Sequence, residues 1–269
     1  MITRVQKFFK KIPRRISFLI TQATLFLSYL RLAKIKGSQK SRFEALKNRS
    51  SRYYIYLSKK DISNFMTPIW GNYSQEIEKA ILPSPHFSFL RNRIIRTTMF
   101  VTAGGKWINE ELEFLEKSIP EERLTEILEE DYIGNPILIN SEYLTSHNSI
   151  HQLYHLMKFQ EKTKINLDRL ESIIEWGGGY GNMAKILRRM LPGVTYIIID
   201  LPAMSCLQWV YLATIFGEGS VNILPILQNK IEKGKINLLP ISFLKDYELR
   251  TDLFIATWSL SESSRYAQD

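Results

Sequence analysis

The chain has a single cysteine among its 269 residues, Cys206, so no internal disulfide can staple the fold. A lone thiol fits a reducing compartment such as the cytoplasm. Its place in an apolar stretch, residues 204–216, marks it as a buried packing group. Acidic residues are missing altogether from positions 1–43, which hold eleven Lys or Arg. The remaining chain carries 25 basic residues against all 27 acidic ones, so the net charge of +9 belongs to the N-terminal arm. That distribution argues against a nucleic-acid-binding face on the folded body. No apolar run reaches the roughly 20 residues needed to cross a bilayer. Residues 16–30 come nearest, but Ser17, Thr21, Gln22, Thr24 and Ser28 interrupt them. No small-residue cleavage site precedes the next basic residues, which speaks against a cleaved signal peptide. Repeats and low-complexity tracts are absent as well.

What the arm does contain is an apolar stretch between two basic clusters. Lys7, Lys10, Lys11, Arg14 and Arg15 precede it, and Arg31, Lys34 and Lys36 follow. Anionic headgroups attract such residues at about 1 kcal/mol each, so an interfacial helix on an anionic membrane surface is expected for residues 1–43. A helix packed on the body with solvated basic flanks is the plainer alternative, and a signal anchor a third. Residues 37–52 are polar and read as a linker. Residues 53–135 read as mixed, mostly helical structure punctuated by Pro68, Pro83, Pro85 and Pro120. Tyr53, Tyr54 and Tyr56 are expected to pack. Residues 107–119 have apolar positions at helical spacing, and the acidic stretch 121–131 reads as a solvated helix face.

The most informative segment is Ile173-Ile174-Glu175-Trp176-Gly177-Gly178-Gly179-Tyr180-Gly181, followed by Tyr196-Ile197-Ile198-Ile199-Asp200. An apolar strand runs into a glycine turn, a helix opens, and the next strand ends on an acid. This is the arrangement of a nucleoside-bearing cofactor site. Glycines allow the sharp turn and the approach of a ligand to bare backbone. Against the dinucleotide pattern G-x-G-x-x-G/A, counting from Gly177 fails at Asn182, whereas Gly179, Gly181 and Ala184 satisfy its looser form. A nicotinamide cofactor and an oxidoreductase therefore stay open on the glycines alone. Glu175 points elsewhere: an acid ending a buried strand needs a partner, and a cationic ligand would be one. Continuous apolar strands at 172–176, 196–200, 221–224 and 252–258 alternate with helices at 182–190 and up to Phe216, which predicts a parallel α/β sheet covered on both faces.

The pattern apolar-apolar-Glu-x-Gly-x-Gly-x-Gly resembles the first motif of class I S-adenosylmethionine-dependent methyltransferases. The longer strings EWGGGYGNMAKIL, TYIIIDLP and DLFIATWSLSES, spread over roughly residues 140–269, resemble a bacterial sugar O-methyltransferase family found among surface-polysaccharide enzymes. The resemblance implies a Rossmann-like methyltransferase sheet over residues 166–269, an acceptor or cap region over 46–165 and the arm over 1–45. It implies S-adenosyl-L-methionine as cofactor, held by Glu175 at the methionine end, by Asp200 at the ribose hydroxyls, and by Gly177, Gly179, Gly181 and Trp258. It further implies a sugar or glycan acceptor and a cytoplasmic enzyme peripheral to the inner membrane, where lipid-linked glycans are assembled. Such sheets have seven strands, and three are not found at the C-terminal end. A truncated, non-catalytic remnant acting as a membrane-associated interaction protein is the corresponding alternative.

A sugar hydroxyl is a weak nucleophile, so a general base is expected. Glu262, after the last strand, stands where this fold meets the methyl group, although an acid near a helix start can simply stabilise that helix. His147, His151 and His155 are spaced i, i+4 and i+8 and share one face if helical. His147, His151 and His155 are the further base candidates, His151 and His155 foremost, and the resemblance implies that their helix covers the cleft. A metal reading of these histidines lacks the H-E-x-x-H signature, and no metal site is expected. Trp258 or Tyr180 is placed to wall a sulfonium by cation–π attraction.

Overall fold

The computed structural model describes residues 14–102, 104–105 and 107–269, with side chains from residue 23 onward. Lys7, Lys10 and Lys11 of the expected membrane arm lie outside the described residues. Two long helices open the structure, α1 (Arg14–Lys36) and α2 (Ser38–Leu57). Shorter helices follow: α3 (Pro68–Ile81), α4 (Arg93–Thr98), α5 (Ile108–Ser118) and α6 (Glu121–Leu128). A small antiparallel pair, β1 (Leu138–Asn140) and β2 (Thr145–Ser146), leads into α7 (His147–Thr163).

From there the chain alternates β3 (Ser172–Trp176), α8 (Asn182–Met190), β4 (Thr195–Asp200), α9 (Pro202–Phe216), β5 (Val221–Ile223), β6 (Ile236–Pro240) and β7 (Leu253–Ile255). Two short helices, α10 (Ser259–Glu262) and α11 (Arg265–Gln268), close it. The five strands form one parallel sheet in the order β5-β6-β4-β3-β7, with Glu175 of β3 opposite Ile198 on one side and Ile255 on the other. The protein is thus α/β with a five-stranded parallel sheet, compatible with a Rossmann-like fold.

The sheet places the site. From β3 the chain winds outward through β4, and then returns to lay β7 on the opposite edge of β3. The order reverses between β3 and β7, and a crevice opens outside the carboxyl ends of strands at such a point. β3 and β4 are buried almost throughout because helices cover both faces, which is why they read as unbroken apolar runs. On one face α9 is apolar all round, and every residue from Pro202 to Thr214 is buried. The sheet covers one side of it and α2 the other.

Three expectations are revised. The stretch 37–52 is no linker but most of α2, whose Phe43, Leu46, Ser50 and Leu57 are buried while its many polar residues face water. Composition alone hid the stripe. The strand expected at 221–224 is present as the sheet edge, but the four expected strands omit β6, which lies between it and β4. β6 is five residues long and interrupted by Asn237, whose buried side chain bonds Asn222 and the backbone of Glu232 and Lys235. The end of the acidic stretch 121–131 is not solvated: Glu130 and Asp131 are buried in an ion network.

That network ties the helical region to the sheet layer. Lys185 Nζ, fully buried on α8, donates to Glu130 Oε2 (2.7 Å), and Ser146 and Ser149 donate to Oε1 (both 2.5 Å). Burial opposes the charge on Glu130, but Lys185 and the two hydroxyls outweigh it and hold the carboxyl below its usual range. Asp131 is likewise held low against burial, by Arg189 (2.7 Å) and Lys36 (3.5 Å), with Gln39 donating to it (2.8 Å).

Candidate functional site

The crevice at the carboxyl ends of β3, β4 and β7 encloses about 1060 Å³ including its open mouth. Its floor is the glycine turn. Gly177, Gly179 and Gly181 all have left-handed φ values, +69°, +57° and +95°. At Gly177 a side chain would also collide with Ser259 at the start of α10, so glycine there lets α10 close down on the turn. Ser259 Oγ in turn donates to the Trp176 carbonyl. Gly181 caps α8, so the N-terminus of that helix follows directly on the turn.

Two carboxylates flank the turn. Glu175, at the end of β3, is 4% exposed and lies beneath Gly178. Among the described residues its one hydrogen bond is from Tyr196 Oη to Oε2 (2.9 Å). Burial, only partly offset by that hydroxyl and reinforced by nearby Asp200, pushes its pKa up to about 8. Asp200 ends β4. The backbone N–H of Leu201 donates to its Oδ1 (2.8 Å) and Gln208 Nε2 to its Oδ2 (2.7 Å). Burial again dominates, and its pKa rises to about 7. Among the described residues no cationic side chain pairs with either acid.

Gln208, one turn and a half into α9, also donates to the Gly179 carbonyl (2.7 Å) and so clamps the turn against Asp200. Sequence reasoning missed it because a polar residue in a largely apolar helix, which also holds Ser205 and Thr214, carries no motif. Its depth in the helix was the available signal, since a fully buried amide must be satisfied locally. Asn182, the mismatch to the dinucleotide pattern, lines the crevice and donates to Gln152 on α7 (2.7 Å), locking α7 over the turn. Tyr180 is buried beside it.

The remaining candidates divide. Trp258, just after β7, and Glu262 line the crevice. Glu262 Oε2 accepts from Trp70 Nε1 (3.1 Å), and its backbone carbonyl accepts from Thr67 (3.2 Å), so it belongs to the rim that joins α10 to α3. His151 and His155 do not line it. They stand beside Trp258, with the His151 ring 6.0 Å from the indole and nearly parallel to it, and His155 6.4 Å away edge-on. The helical spacing of the histidines is real, but the cleft-facing residues of α7 are Asn148 and Gln152. Among the described residues no group of three His, Cys, Asp or Glu side chains is placed to hold a metal ion.

The site therefore combines a glycine turn at a helix N-terminus, a buried and a half-buried acid without cationic partners among the described residues, and an aromatic wall. The chain matches no protein-family model, and no curated protein matches it significantly.

Proposed function

We propose that this protein is an S-adenosylmethionine-dependent O-methyltransferase that methylates a sugar hydroxyl of a surface polysaccharide or its precursor. The observation that carries the reading is the pair of carboxylates, Glu175 buried and Asp200 half-buried, on either side of the glycine turn. A ligand with a cationic end and a vicinal diol answers both: an ammonium relieves the desolvated Glu175, and ribose hydroxyls donate to Asp200. The backbone of Gly177–Gly179 offers close approach for the part between. Trp258 supplies an aromatic face toward a sulfonium. The cofactor brings an activated methyl group, so this chain's own part is to bind, align the acceptor and exclude water. A nicotinamide dinucleotide would satisfy Asp200 equally, but it sets an anionic pyrophosphate against the glycine turn, beside the carboxyl of Glu175.

The assignment to sugars rests on the resemblance of residues 140–269. The membrane-proximal setting rests on α1, where Phe26, Leu27 and Leu30 are exposed beside Arg31 and Lys34. Among the described residues no helix is long and apolar enough to cross a membrane, so contact would be with the surface.

Calorimetric titration of S-adenosylhomocysteine tests the cofactor half. Micromolar binding to the wild type that is lost in Glu175→Gln and Asp200→Asn is the expected result. Retained binding in both variants, or tight NAD binding in its place, overturns it.

A further inference from the structure

Beside Trp258 and Phe100, which line the crevice, a second set of chemical groups converges. Glu111 of α5 is 6% exposed, and its Oε1 lies 2.7 Å from His151 Nδ1. His151 Nε2 lies 3.1 Å from His155 Nε2. The carboxylate can only accept, so His151 presents Nδ1–H to it and keeps a lone pair on Nε2. His155 must then donate its Nε2–H, which leaves the lone pair of His155 Nδ1 without a protein donor among the described residues. The three side chains form one directed chain, Glu111–His151–His155, ending in a free base. Around it stand three half-exposed aromatic rings: Trp258 (47%), Phe100 (53%) and Trp107 (53%). Phe100 lies 5.1 Å from Trp258, and Trp107 lies 6.4 Å from His147, which stacks on His151. Phe100 holds a left-handed φ of +51°, a strained setting for an aromatic residue.

We propose that this face is the acceptor subsite, in which Phe100, Trp107 and Trp258 seat the apolar face of a glycosyl ring and the Glu111–His151–His155 chain takes the proton of its hydroxyl. The proposal rests on the methyltransferase reading and names the base and the acceptor seat for it. Trp258 connects the two halves, since it lines the crevice as well as facing the histidines. The C–H face of a sugar is apolar and its hydroxyls lie at the edge, which suits flat aromatic groups bordered by imidazoles. As the acceptor oxygen bonds to the methyl carbon, the carbon–sulfur bond breaks and its electron pair stays on sulfur. The hydroxyl proton passes to His155 Nδ1, the Nε2 proton of His155 passes to His151, and the positive charge rests on His151 beside Glu111. Glu111 is thus a positioning residue.

The groups facing His151 are Glu111 from α5 and His147 and His155 from α7. Burial lowers the pKa of all three histidines, so they are neutral bases near pH 7, and burial raises that of Glu111.

The test uses the full chain, tritiated S-adenosylmethionine and a panel of p-nitrophenyl glycosides of hexoses, deoxyhexoses and aminosugars. His151→Asn and His155→Gln should each lower kcat by about 100-fold or more. Glu111→Gln should move the acidic limb of the pH–rate profile to lower pH, because a carboxylate that favours imidazolium has gone. A merely structural residue would not move that limb. Trp107→Ala should raise KM for the glycoside with kcat retained. S-adenosylhomocysteine affinity, measured in parallel, should stay within about twofold of wild type in the histidine and Glu111 variants, which also reports that they fold. If the wild type binds the cofactor product but labels no glycoside, or if His151→Asn keeps its rate, the acceptor assignment is wrong while the cofactor reading stands. If the wild type fails to bind it, both fall.

Discussion

Glu175 sits in an environment that ordinarily selects against a carboxylate. It is buried, it receives one hydroxyl hydrogen bond, and its pKa stands near 8. Its raised pKa means that the folded state prefers the neutral acid. That contribution to stability is present below the ordinary value near 4.5 and is lost as pH rises through about 8. Glu175→Gln should therefore raise the melting temperature at pH 8.5 and change it little at pH 4.5. Binding of a cationic ligand demands the ionised form, so S-adenosylhomocysteine should release protons at pH 7 from Glu175. Calorimetry in buffers of different ionisation enthalpy measures that release, and a buffer-independent enthalpy would show that Glu175 does not meet the cation. Sequence showed the acid and its place before the glycines. Tyr196 stood in the quoted second strand, but its pairing with Glu175 across the sheet, and the clamp Gln208 on α9, depend on other elements and were not legible.

At the scale of elements, α7 and α8 are bound to the helical region by charge rather than by apolar packing alone. Lys185 is fully buried, and among the described residues its ion-pair partner is Glu130. Removing one member leaves the other desolvated, which costs about 3–5 kcal/mol. Lys185→Met should lower urea-unfolding stability by that amount, and the double variant Lys185→Met/Glu130→Leu should recover most of it. Equal losses in the single and double variants would show that the pair is not coupled. α8 itself was legible, since Asn182–Met190 follows the glycine turn and ends before Pro192-Gly193. The burial of its lysine was not, because a lysine on an amphipathic helix reads as solvent-facing until α6 and α7 are seen to cover it.

At the scale of the whole molecule, charge is segregated. The arm holds eleven of 36 basic residues and no acid, and α1 exposes Phe26, Leu27 and Leu30 beside Arg31 and Lys34. Leu32 and Lys36 tether the C-terminal end of α1, with Lys36 reaching Glu129 (2.7 Å). Vesicles of phosphatidylglycerol should bind the protein in flotation assays, neutral vesicles far less, and rising salt should weaken the contact. Phe26→Asp/Leu30→Asp should reduce flotation by about tenfold or more, through lost apolar burial and added repulsion. Flotation unchanged by salt and by the double variant would place α1's exposed face elsewhere than on a membrane.

Sequence by itself determined the alternation of strands and helices from β3 to α9, the glycine turn and the two acids at the strand tips. Each of these is written in local periodicity and in backbone conformations that few residues allow. Only the tertiary structure decided that β6 lies inside β5, that residues 38–57 form a buried-stripe helix on α9, and that Glu130 and Asp131 are interior. It alone brought Glu111 to His151 across 40 positions of chain. These features depend on which surface covers which, and a residue's neighbours along the chain do not carry that information.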